Sequence, residues 1–84
     1  MTAAKKKIEG IQTGVRIEKH VLKVLKAIAA RNEMGVGDLV EGIVLHSFEG
    51  KPPFGTETLA FIDQMRAAYG LDLTAADSHN LTEE

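Results

Sequence analysis

Cationic and hydrogen-bonding side chains crowd the start of this sequence. Lys5, Lys6 and Lys7 stand in a row, Gln12 and Arg16 fall on one side of an alternating stretch, and Lys19, Lys23 and Lys26 recur behind them. Residues 1–31 hold eight basic residues against Glu9 and Glu18, whereas residues 32–84 hold Lys51 and Arg66 against ten acids. The net charge of −2 hides this asymmetry. Cations gathered in one half let that half approach a polyanion while the acidic half keeps the chain soluble. Charge alone is equally compatible with lysines that only solvate a helix surface.

Other chemistry-bearing residues do not converge. His20, His46 and His79 belong to different stretches, and no two have the i, i+4 spacing that places a metal-ligand pair on one helix face. No metal or cofactor is therefore expected. His46, Ser47 and Glu49 lie close in sequence, but adjacent helical positions point in different directions and build no catalytic relay. Together with the small size of the chain, this argues against an enzyme. Gly35 and Gly37 lack the further glycine and the lysine–hydroxyl pair of a phosphate loop and read as helix punctuation. The absence of cysteine excludes disulfides and thiolate metal sites and fits a reducing compartment. No apolar run approaches the roughly 18 residues of a membrane span, and Lys5–Lys7 is not followed by the apolar stretch of a secretory signal. A cytoplasmic location is expected.

The elements that must hold these residues follow from periodicity. Residues 1–7 read as a flexible basic arm. From Ile8 the period is two, with Ile11, Thr13, Val15 and Ile17 on one face and Gln12, Gly14 and Arg16 on the other, which predicts a half-buried strand. Gly10 and Gly14 bring no side chain to pack, so that strand needs a neighbour. From about residue 18 the period is helical, with Val21, Leu22, Val24, Leu25, Ile28 and Ala29 as the apolar stripe. Residues 32–35 supply the stop, with Gly35 expected in a left-handed conformation. A second helix is expected over 38–49 on Leu39, Val40, Ile43, Val44, Ser47 and Phe48, ended by Gly50-Lys51-Pro52-Pro53. A third is expected over 56–69, with Thr56 as N-cap, Leu59, Ile62, Met65 and Tyr69 inward and Gly70 as the stop. Residues 74–84 read as a polar, disordered tail. One chain of 84 residues is a single domain with little core of its own, and a second copy is the natural source of more.

A lone strand makes no sheet unless two chains pair their strands antiparallel across a two-fold axis. The stretch Gln12-Thr13-Gly14-Val15-Arg16-Ile17-Glu18-Lys19-His20-Val21-Leu22, followed by Val36-Gly37-Asp38 through Val44-Leu45-His46-Ser47-Phe48, resembles the ribbon-helix-helix superfamily over residues 8–49. The resemblance implies a mainly α, ribbon-helix-helix homodimer, with residues 8–50 as its core and 51–73 as linker and extra C-terminal helix. Ile11, Val15, Ile17, Leu22, Leu25, Ile28, Val40, Val44 and Phe48 would make the shared dimer core, so Val15→Asp or Val44→Asp is expected to abolish folding and dimerisation together.

The same resemblance implies a sequence-specific, repressor-type regulator that binds double-stranded DNA. Gln12, Gly14 and Arg16 would occupy the base-reading positions in the major groove, where Gln suits adenine and Arg guanine at about 1–3 kcal/mol of discrimination each. Lys5, Lys6, Lys7, Lys19 and Lys23, with the backbone N–H groups of Val36 and Gly37, would contact phosphates. The chain departs from the pattern at Gly14, which offers no hydrogen bond, at Gly37, which replaces a hydroxyl cap, and at Asp38, whose carboxylate stands beside the phosphate position. A different class of function is a homodimeric protein-interaction module that binds no DNA and uses helix 56–69 or the acidic half. Steep salt dependence of binding separates the two.

Overall fold

A computed structural model describes residues 5–83; the part of the basic arm at residues 1–4, and Glu84, lie outside the described residues. Three α-helices follow in order: α1 over Lys19–Arg31, α2 over Val36–Phe48 and α3 over Thr56–Tyr69, with a 3-10 turn at Ala75–Asp77. α1 packs against both α2 and α3. Val24, Ile28 and Ala29 of α1 and Leu39 of α2 are buried, and Leu25, Val36, Ile43, Phe54, Phe61, Ile62, Met65 and Leu71 pack half-buried around them. At the far end of α1 the Arg31 guanidinium lies 4.9 Å from the Phe61 ring centroid, which ties α1 to α3.

Each helix closes in the same way, with a left-handed residue after the last turn and two backbone bonds folding back. Gly70 (φ 70°) closes α3, with Leu71 N–H donating to Arg66 O at 2.8 Å. Gly50 (φ 70°) closes α2, with Lys51 N–H donating to His46 O at 2.9 Å. Closing α1 falls to Glu33 (φ 54°), with Glu33 N–H on Ala30 O and Met34 N–H on Ala29 O. Gly35, expected to be left-handed, is instead the N-cap of α2 at φ −76°. α2 accordingly begins at Val36, two residues before its predicted start, and α3 begins at Thr56 behind an N-cap at Gly55 rather than at Thr56 itself.

The expected N-terminal strand is absent. Among the described residues there is no β-strand, and residues 5–18 run without helix, turn or bend. No backbone hydrogen bond among the described residues joins residues 8–17 to another segment. Alternation makes a strand only where a neighbouring backbone supplies donors and acceptors, and the described residues supply none, while Gly10 and Gly14 add no packing. The ribbon-helix-helix arrangement is therefore corrected to three packed helices preceded by an unpaired segment; the mainly α class stands.

Of the residues expected in a shared core, Ile28 alone is buried within the chain. Ile17, Leu22, Leu25 and Val40 are half-buried, whereas Ile11, Val15 and Phe48 are 83%, 76% and 81% exposed and Val44 is also open. The radius of gyration is 14.4 Å, against about 12 Å for a compact domain of this length.

Candidate nucleic-acid interface

The segment 5–18 carries the hydrogen-bonding residues singled out by the sequence. Lys5, Lys6, Lys7, Gln12, Gly14 and Arg16 are all exposed. It passes α2, where Ile8, Val40, Glu41, Val44 and Leu45 line a shallow, mostly apolar cavity of about 380 Å³. It ends at α1, where Glu18 serves as N-cap. The Glu18 carboxylate accepts the backbone N–H groups of His20 at 2.8 Å and Val21 at 2.9 Å, and His20 Nδ1–H donates to its second oxygen at 2.8 Å. That side-chain bond from His20, followed by the Val21 N–H, holds the Glu18 carboxyl below its ordinary value of 4.5. Glutamate is not among the favoured N-cap types, so the cap was not signalled by the sequence. It ties Glu18 to the first turn of α1.

On α1 the lysines fall into a row. Lys19, Lys23 and Lys26 are exposed on the face opposite Val24 and Ile28, spanning about 10 Å of helix. Lys26 was not among the expected phosphate contacts, although its i+3 spacing from Lys23 was the available signal.

Val36 and Gly37 occupy the first turn of α2, which has no side-chain cap bond and carries Asp38. They stand beyond the C-terminal end of α1 while Arg16 precedes its N-terminal end, so roughly 18 Å of helix separates the two groups. Within one chain they form no common site. Arg16 has an unexpected partner: its Nη1 donates to Glu83 Oε1 at 3.1 Å. Around this pair, Arg16, Glu18, His20, Leu71, Leu73 and Leu81 line an open groove of about 630 Å³. Among the described residues no three His, Asp or Glu side chains gather as a metal site requires. His46 instead donates Nδ1–H to Gly42 O at 2.7 Å within α2. Among the described residues no helix is long and apolar enough to cross a membrane.

Set against protein-family models, curated proteins and solved structures, the chain matches none.

Proposed function

We propose that this chain is a homodimeric, cytoplasmic DNA-binding protein acting in transcriptional control. Its open basic segment and the lysine row of α1 contact the duplex. The observation that carries the reading is the exposure of Gln12 and Arg16 on a segment flanked by Lys5–Lys7 on one side and Lys19, Lys23 and Lys26 on the other. Side chains of these types read base edges, whereas the lysines neutralise phosphates and set position. Gly14 reads no base and leaves Gln12 and Arg16 as the two specificity residues.

Self-association is supported by two apolar surfaces that the chain leaves uncovered. Ile11 and Val15 on the open segment and Val44 and Phe48 on α2 are exposed, and Ile8 already lies beside the α2 surface. A second copy presents the same residues, so a two-fold arrangement covers both surfaces at once and enlarges a core of few residues.

Fluorescence anisotropy with labelled duplex, for the wild type and Arg16→Ala at about 50 and 200 mM salt, tests the DNA reading. The expected result is affinity that falls steeply with salt and a sequence preference lost in Arg16→Ala. No binding to specific or competitor duplex at low salt overturns it in favour of the homodimeric protein-interaction module.

A further inference from the structure

The C-terminal segment is built to reach Arg16. It leaves α3 at Gly70 and is pinned at once, because Arg66 Nη2 donates to Leu73 O at 2.8 Å. A reciprocal cap follows: Thr74 N–H donates to Asp77 Oδ2 at 2.8 Å, and the Thr74 hydroxyl is paired within the same box that closes the turn Ala75–Asp77. Asn80 N–H returns to Asp77 O at 3.0 Å, and His79 takes a left-handed φ of 69°. These bonds turn the chain so that Leu81 comes to line a groove with Val21, Leu71 and Leu73. Two residues later Glu83 meets Arg16 across 67 positions of sequence.

We infer that residues 74–83 act as an acidic strap whose Glu83 competes for the Arg16 guanidinium with a nucleic-acid phosphate or base edge. The inference rests on the DNA reading above and gives it a regulatory element. The strap carries Asp77 and Glu83 and, in sequence, Glu84, so it presents to the basic segment the same kind of charge that DNA does. Both partners of the ion pair are largely exposed, at 83% and 75%, so the contact is weak and reversible. Tethering keeps Glu83 near Arg16 at high effective concentration, and the affinity of the open form is lowered by the fraction of molecules that are open. An exposed pair of this kind lowers apparent affinity by up to about fivefold. The restraint weakens as salt screens the pair, in parallel with DNA binding itself.

The test compares the wild type, Glu83→Gln, a chain ending at Leu73, and Glu57→Gln, which removes an acid on α3 far in sequence from the strap. Each is titrated against the same labelled duplex at about 50 mM salt. The expected result is binding tightened by about two- to fivefold in Glu83→Gln and in the shortened chain, with little change in Glu57→Gln. Equal tightening in Glu57→Gln reduces the effect to net charge and overturns the strap, as does unchanged affinity in Glu83→Gln. A second readout needs no DNA: the Arg16 side-chain Nε–H resonance should move in Glu83→Gln relative to wild type. An unmoved Arg16 resonance overturns the strap whatever the duplex does. A moved resonance with no DNA binding by any variant overturns the DNA reading and the competition, while leaving the intramolecular contact established.

Discussion

Two faces of α2 meet very different surroundings. Leu39, 5% exposed, packs with Val24, Ile28 and Ala29 in the buried cluster, and Ile43 lies against it. Part of a turn away, Val40, Val44 and Phe48 form a second apolar stripe at i, i+4 and i+8, with Phe48 81% exposed. Both stripes consist of apolar side chains. The difference teaches that burial within the chain depends on which face α1 reaches and not on hydrophobicity. A stripe left open on a small domain is a surface on which association can act.

The largest effect expected from this contrast is at Leu39. Leu39→Ala removes a buried side chain at the α1–α2 junction and should destabilise the fold by about 2–4 kcal/mol, measured by urea unfolding followed by circular dichroism. A loss below about 1 kcal/mol would mean that the inner face is not where the stability resides. Phe48→Glu addresses the outer face. Under the proposed self-association it should shift the chain from dimer to monomer in light scattering while leaving helix content unchanged, because Phe48, 81% exposed, contributes little packing within the chain. Unchanged mass in Phe48→Glu would place any self-association elsewhere.

A smaller, pH-dependent effect belongs to the N-cap of α1. Glu18 has a folded-state pKa depressed below 4.5 by His20 and by the backbone N–H of Val21. Its stabilisation is therefore fully present above the unfolded-state value and is lost as pH falls through the lower folded-state value. Acid titration of helix content should show this loss in the wild type, and Glu18→Gln should remove that component of the pH dependence. Identical acid profiles would mean that the cap does not hold in solution. The smallest effect is expected for Gly14→Ala. Nothing lies within 4 Å of the added methyl group and the backbone φ there is not positive, so stability should stay within about 0.5 kcal/mol of wild type. A larger loss would reveal a close approach to residue 14 that the single chain does not contain.

Much of the helical framework was legible from periodicity. The apolar stripe of α1 and the glycine stops at Gly50 and Gly70 follow from local chemistry, because a helix end needs a left-handed residue that glycine adopts without strain. The same rule misplaced the stop of α1 at Gly35, since the left-handed position fell on Glu33, where only the two returning backbone bonds reveal it. The candidate interface was legible as residue types but not as an arrangement. Lys19, Lys23 and Lys26 align because the helix aligns them, whereas Glu83 reaches Arg16 only through the turn set by Thr74 and Asp77.

Sequence alone determined the three helices and the segregation of basic and acidic residues, because each depends on residues close to one another in the chain. Tertiary structure decided three things: that the alternating segment 8–17 stays unpaired, that α2 buries Leu39 and exposes Phe48, and that Arg16 meets Glu83. Each depends on which distant backbone or side chain comes within reach. Local periodicity records which face of a segment is apolar and carries no information about what that face will touch.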